Sequence, residues 1–248
     1  MTPDQVRKMA HELRLFGVHE ACERRAAEAL GSGLPPLELM LLLLDDERRY
    51  RRNTASKRLV AKARFRHEAD LEDWDQSFDR GVAVAKLKEL ASLNFYHRKD
   101  NLLIYGKTGE GKTQLGISLG RRLCQDGIKT TFFSANLLFE EVQAERAAGK
   151  YLAFVRNLTK SKVIILDDFG LRNYTHEEAT TLLDILEDRY RKGSVIVTSQ
   201  VDAKGWNKLF EDPVVAEAVV DRLTKPSHII TLKGGSYRDR LGKKDLPE

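Results

Sequence analysis

The sequence predicts an α/β fold in which a parallel sheet lies between helices, preceded by a small all-helical N-terminal domain. Three observations carry this. From about residue 82 onward, short apolar runs alternate with longer amphipathic stretches, the rhythm of a parallel sheet covered on both faces. Before residue 82 the apolar spacing is helical. A glycine-rich turn joins the first apolar run to the helix after it, so the polarity of the sheet can be read directly. A chain of 248 residues has room for one large domain or for a core with a small companion.

Residues 3–30 read as the first helix. Pro3 suits a first turn, Thr2 suits its cap, and Val6, Met9, Leu13, Phe16 and Ala21 recur at helical spacing. Residues 31–36, rich in Gly and Pro, end it. A second helix starts near Leu37. A break is expected at Asn53-Thr54-Ala55, with Ser56 capping a third helix that runs to about Arg66. In the second part, residues 102–105, 130–134, 163–166, 195–198 and 229–232 read as strands. A helix leads from the glycine-rich turn to about Gln125, another covers residues 177–191, and another covers residues 213–220. The division expected is a helical domain over 1–67, a linker over 68–81, a core over 82–241 and a polar tail over 242–248. The linker is placed where six carboxylates fall between Glu68 and Asp79; Trp74 and Phe78 among them suggest that it docks on the core.

Composition narrows the function. Residues 39–44 form the longest apolar run, far too short to cross a bilayer, so no membrane partner is expected. The N-terminus has no signal-peptide pattern. Cys22 and Cys124 are far apart and offer neither a disulfide framework nor a zinc cluster, so a reducing, cytoplasmic setting is the expectation. His97 and His176 have no metal-type spacing to other ligands. The net charge is +5, but it is unevenly spread. Arg48, Arg49, Arg51, Arg52, Lys57, Arg58, Lys62, Arg64 and Arg66 occupy 19 residues without one Asp or Glu. Taking those nine charges from the net +5 leaves −4 for the rest of the chain. A solvated helix face mixes signs. A strip of one sign points to phosphate neutralisation, hence to nucleic acid bound with little sequence preference.

The chemistry concentrates in residues 106–113. Gly106, Lys107, Thr108, Gly109, Glu110, Gly111, Lys112 and Thr113 match G-x-x-x-x-G-K-[ST] in full, between a predicted strand and a predicted helix. Such a loop curls so that successive amides cradle phosphates, and the helix adds its positive end. Lys112 reaches the β- and γ-phosphates, Thr113 offers a hydroxyl to Mg²⁺, and Gln114 continues the nucleotide-binding run. The expected ligands are therefore ATP and Mg²⁺. Asp167 and Asp168 follow a four-residue apolar strand, at the end of a parallel strand where ligands bind. Asp167 is placed to hold the metal shell and Asp168 to polarise the attacking water. Thr198 and Ser199, ending the next strand, are candidates for contacting the γ-phosphate or that water, and Ser199 is taken as the catalytic one. A GTPase is disfavoured because residues 207–210 lack the Asp of a guanine-reading N-K-x-D, and no Arg-rich lid of a small-molecule kinase follows the core.

This set of motifs resembles the AAA+ ATPases of the helicase-loader group. It is more closely similar to the IstB family of insertion-sequence transposition helpers. The supporting residues are the phosphate loop, Asp167-Asp168, Thr198-Ser199-Gln200 and Asp221-Arg222-Leu223, with residues 71–75, 186–190 and 232–238. The resemblance implies an ATPase that assembles on duplex DNA and presents it to the transposase of the same element. It also implies a homo-oligomer with ATP sites between subunits, and Arg222 matches the arginine that reaches a neighbour's γ-phosphate. The alternative within the group is a replicative helicase loader, disfavoured by the lack of an N-terminal Cys cluster and by the basic strip. Two departures are visible. Asp168 stands where many AAA+ proteins carry Glu, which implies slow, DNA- or partner-stimulated turnover. The chain has no room for a helical lid after the core, which leaves Arg238 as a candidate substitute for a lid-borne sensor.

Overall fold

The first helix stops sooner than its apolar spacing suggests. Helix α1 covers Pro3–Glu12 and α2 covers Phe16–Ser32. Between them Arg14 takes φ 57° and the Leu15 amide reaches back to the Ala10 carbonyl at 2.7 Å, so the chain turns. Helix α3 then runs unbroken over Pro36–Lys62. The break expected at residues 53–55 does not occur. Asn and Thr are weak helix formers, but neither removes a backbone amide, and strong formers on both sides carry them. The computed structural model describes residues 3–75 and 77–237, and the chain divides into two compact units, Met1–Arg58 and Leu59–Glu248.

In the first unit, Gly17 and Glu47 lock α2 against α3. The Gly17 amide donates to Glu47 Oε2 at 2.6 Å and the Val18 amide to the same oxygen at 3.3 Å. A buried carboxylate thus caps the positive end of α2, which has no cap of its own. A Cβ on Gly17 would lie 2.5 Å from Glu47 Cα, so only glycine permits this approach. Burial pushes the Glu47 carboxyl up, but the Arg51 guanidinium and the two amides outweigh it and hold it below the usual glutamate range. The stabilisation is therefore complete above that range and is lost as pH falls through the lowered folded value. Glu47→Ala is expected to cost about 2 kcal/mol at neutral pH. Urea unfolding of the variant should show that loss, and the gap to wild type should close on acidification. Along α3, Leu37, Met40, Leu41 and Leu44 are exposed.

The second unit is built on a five-stranded sheet, all parallel, in the order β2-β3-β4-β1-β5. The strands are β1 Asn101–Tyr105, β2 Thr130–Ser134, β3 Val163–Phe169, β4 Ser194–Ser199 and β5 Ser227–Thr231. The near-continuous apolar runs of β1, β3 and β4 follow from burial on both faces. Leu102, Ile104, Ile165 and Ile196 face one core, beneath α4 (Val84–Ala91), α5 (Asn94–Arg98) and α6 (Lys112–Gln125). Leu103, Tyr105, Ile164 and Val197 face the other. That core is closed by α7 (Ala135–Ala147), α8 (Tyr151–Thr159), α9 (His176–Arg189), α10 (Ala203–Trp206) and α11 (Pro213–Thr224). A Thr175–Glu178 capping box starts α9, and Asp212 with Pro213 starts α11. Arg189 fastens the far end of the sheet. It is buried and donates to the carbonyls of Leu158, Ser161, Lys162 and Ser194, and burial pushes its guanidinium down to about 10.

Two expectations about organisation change. The strand through Val163 is longer than its apolar run and carries Asp167 and Asp168 within it. The boundary lies between Arg58 and Leu59 rather than at residues 68–81. That stretch is no free linker, because Ala69, Trp74 and Arg80 are buried and Asp70 forms a two-point pair with Arg121 of α6. The tail over 242–248 and Arg238 lie outside the described residues. Among the described residues no helix is long and apolar enough to cross a membrane.

Candidate functional site

The phosphate loop leaves β1 at Tyr105 and enters α6 at Lys112. Gly111 sits at the helix entry with φ 94°, a conformation open to glycine, and no side chain caps the first amides of α6. Those amides and the helix end therefore remain available to an anion. Lys112 is buried and its Nζ donates to the Lys107 carbonyl at 2.9 Å, folded across the loop. Glu110 Oε2 accepts from the Lys107 amide at 2.6 Å and braces the turn. The cleft over the loop has a volume of about 440 Å³, and Thr108, Lys112, Thr113, Asp168, Gln200 and Tyr237 are among the residues that line it.

Asp167 stands beneath this cleft. Its Oδ1 accepts from the Thr113 hydroxyl at 2.9 Å and from the Thr198 hydroxyl at 2.6 Å. Thr198 Oγ1 in turn accepts the Asp168 amide at 3.0 Å, which fixes the end of β3 against β4. Asp167 Oδ2 is buried without a hydrogen-bond partner. Burial pushes the Asp167 carboxyl up, against the two hydroxyls that favour its charged form. A buried carboxylate oxygen with no hydrogen bond, beside a threonine hydroxyl, is the hard-oxygen donor set that Mg²⁺ takes. These residues therefore fit the metal. Among the described residues no cluster of three His, Cys, Asp or Glu groups could hold a metal, so the donors here are Asp167 and the Thr113 hydroxyl.

Asp168 adopts φ 58°, which Asp tolerates better than most residues, and its side chain is part-exposed at the cleft. Ser199 does not join it. The Ser199 hydroxyl lies 2.7 and 2.8 Å from the carbonyls of Phe169 and Val201, donating to one of them, and accepts from the Trp206 indole, all on the opposite face of β4. Adjacent strand residues point to opposite faces, and Thr198 is the one on the cleft side. Ser199 therefore faces away from the cleft, contrary to the catalytic role expected of it.

Arg222 lies in the last turn of α11, not beyond the helix. Its Nε donates to Glu187 at 2.8 Å, its guanidinium lies 4.8 Å from the Tyr190 ring centre, and its carbonyl accepts from Asn101. Asn101 begins β1, whereas the phosphate loop follows the other end of β1. Arg222 thus sits at the opposite edge of the sheet from the nucleotide cleft of its own chain.

The basic strip divides. Arg48, Arg49, Arg51, Arg52, Lys57 and Arg58 are exposed on α3 within the first unit, and Lys62 ends the helix. Arg48 and Arg49 pair with Asp45 and Arg51 pairs with Glu47, one turn earlier. Arg64 and Arg66 leave the strip. The Ala63 carbonyl accepts from the Phe132 amide, and Arg64 takes φ 65°, so the chain turns out of the helix. Arg64 then pairs with Glu141 at 2.7 Å, and Arg66 faces Asp167 and Asp168 at 3.5 and 3.7 Å.

Sequence reasoning missed three groups. Arg66 was hidden in the charge run. Gln200, which accepts from the Thr108 hydroxyl at 2.9 Å, stood next to residues that were noted. Arg80 lies between the rings of Trp74 and Tyr237, 3.4 and 4.6 Å from their centres, and donates to Gln114.

The family model for IstB-like ATP binding proteins matches residues 8–245. A protein of Sinorhizobium fredii named as an insertion-sequence ATP-binding protein is 33% identical over 93% of this chain and 94% of its own. A Mycobacterium tuberculosis protein, named as an ATP-binding protein in an insertion sequence, is 31% identical over 95% of this chain and 94% of its own. Among solved structures, the DnaC helicase loader superposes with a TM-score of 0.53 at 20% identity, covering 66% of this chain and 97% of that one, a likeness of fold.

Proposed function

This chain belongs to the family of IstB-like ATP-binding proteins, and we propose that it assembles on duplex DNA under ATP control and presents that DNA to the transposase of its element. The P-loop AAA+ core makes it an ATPase. One observation carries the DNA reading. Six cations, Arg48, Arg49, Arg51, Arg52, Lys57 and Arg58, are exposed on one helix in a unit separate from the nucleotide cleft. Grip and energy are thereby assigned to different parts of one chain.

The chain's residues divide the hydrolytic work as follows. The loop amides and Lys112 hold the β- and γ-phosphates, and Thr113 with Asp167 would hold Mg²⁺. The metal would supply charge neutralisation to the triphosphate when bound. Asp168 orients the attacking water and accepts its proton, and Thr198 holds the Asp167–Asp168 backbone in register. Arg222 acts on the cleft of an adjacent copy, where its charge offsets the one growing on the transferred phosphoryl group. The oligomer is thus part of the active site. The DnaC likeness covers 66% of this chain, whereas the relatives named for insertion sequences match 93% and 95% of it, which favours a transposase as partner over a helicase.

The test is binding of labelled duplexes of unrelated sequence, with ATP or a slowly hydrolysed analogue. Wild type is expected to form nucleotide-dependent oligomers on all of them. Replacing Arg48, Arg49, Arg51 and Arg52 together by Ala should weaken this binding strongly while leaving ATP affinity unchanged. The dependence of log affinity on log salt should flatten by up to about 3.6, the value for four phosphate contacts. Equal DNA affinity in wild type and variant would overturn the reading.

A further inference from the structure

The residue that faces the metal position is a cation of the chain itself. Arg66 Nη1 lies 3.5 Å from Asp167 Oδ2 and 3.7 Å from Asp168 Oδ2. Asp167 Oδ2 is the buried oxygen without a hydrogen bond, so the arginine neutralises it through space and does not clasp it. The segment that delivers Arg66 is pinned on both sides. Ala63 is fully buried and bonded to Phe132, the Phe65 ring meets Phe132 edge-on, and Phe65 also packs on Gly120 of α6. The Arg66 guanidinium lies 5.6 Å from the Phe132 ring centre. Its side chain is 43% exposed and lines the nucleotide cleft, so it is held near the acid pair yet free to swing outward.

We propose that Arg66 is the resident counter-cation of the nucleotide site, balancing Asp167 and Asp168 before the metal arrives and yielding Asp167 Oδ2 to Mg²⁺ when Mg²⁺–ATP enters. Two adjacent carboxylates without a counter-charge repel an incoming triphosphate. Two carboxylates with a tight arginine pair exclude a metal. A loose pair at 3.5 Å does neither, because the arginine is displaced by a divalent ion at small cost. The metal and the arginine are alternative partners of one oxygen. Metal entry therefore releases the residue that lies four positions past the end of α3, the helix that bears the six exposed cations. Arg66 is thus a nucleotide-site residue rather than a DNA contact.

This inference rests on the nucleotide-site reading above, and one experiment separates the two. The affinity of a fluorescent ATP analogue is measured by anisotropy in EDTA and in excess Mg²⁺, and the ratio of the two Kd values is compared between variants. In Arg66→Gln the ratio should rise about fivefold over wild type, chiefly through weaker binding in EDTA, since a part-exposed charge pair is screened. Arg66→Lys should return it most of the way. Arg64→Gln, which removes a neighbouring cation paired with Glu141, should leave it where it is. A merely structural role would weaken binding equally with and without metal. An unchanged ratio in Arg66→Gln, or an equal rise in Arg64→Gln, overturns the inference while leaving the site in place. Failure of wild type to bind the analogue in either condition overturns the site reading and the inference together.

Discussion

Arg222→Ala is expected to lower ATP turnover by about 10³-fold or more while leaving ATP affinity unchanged, the signature of an arginine that acts only on the transition state. Affinity is spared because Arg222 lies at the Asn101 end of β1, away from the phosphate loop of its own chain. Folding is spared because what is lost is a part-exposed pair with Glu187 and a contact with the Tyr190 ring, each worth at most about 1 kcal/mol. The decisive measurement is complementation. Arg222→Ala subunits mixed with equal amounts of subunits defective at Asp168 should regain roughly a quarter of wild-type turnover. A head-to-tail interface then places an intact Arg222 beside an intact cleft in that share of contacts. Mixtures that stay inactive, or an Arg222→Ala protein that turns over normally, would remove Arg222 from the site.

Asp168→Asn is expected to bind ATP as wild type does and to lose turnover by about 10²- to 10⁴-fold, the range for loss of a general base. Asn is the informative replacement. Position 168 has φ 58°, which Asn accepts, whereas Ala would add backbone strain of about 1 kcal/mol at the end of β3. Phosphate release measured beside analogue binding separates the two effects. Retained turnover would exclude Asp168 as the base. Retained binding of the analogue by a non-hydrolysing variant should also preserve the DNA-bound oligomer.

The core was legible because its signals are local. Each strand of the second unit is five to seven residues long around a shorter apolar run, and the sequence locates each to within a few residues. The phosphate loop is legible because its spacing is set by the backbone path around a phosphate. The loss of the expected break at residues 53–55 has a physical cause. A weak helix stretch is overridden by its neighbours within one continuous helix, and propensity alone carries no knowledge of them. Helices α7 and α8 went unread for a similar reason: their apolar faces are short and are defined by the sheet they cover. Ser199 shows another limit. The alternation of β4 says that residues 198 and 199 face opposite ways, but not which face carries the cleft.

What the sequence determined by itself is the chemistry available: a phosphate loop, an acid pair at a strand end and a one-sign basic strip, each contained in contiguous residues. What only the tertiary structure decided is which partner each charge meets. Nine cations in a row read as one surface. The turn at Ala63 and Arg64 places Arg66 on Asp167 and Asp168 and leaves six cations on α3 in the first unit. Likewise, the parallel sheet puts Arg222 and the phosphate loop at opposite ends of β1. The reason is general. A charge run records how many charges a segment holds, whereas Coulomb attraction over a few ångströms depends on where the chain turns, and that is set by long-range packing such as Ala63 against Phe132.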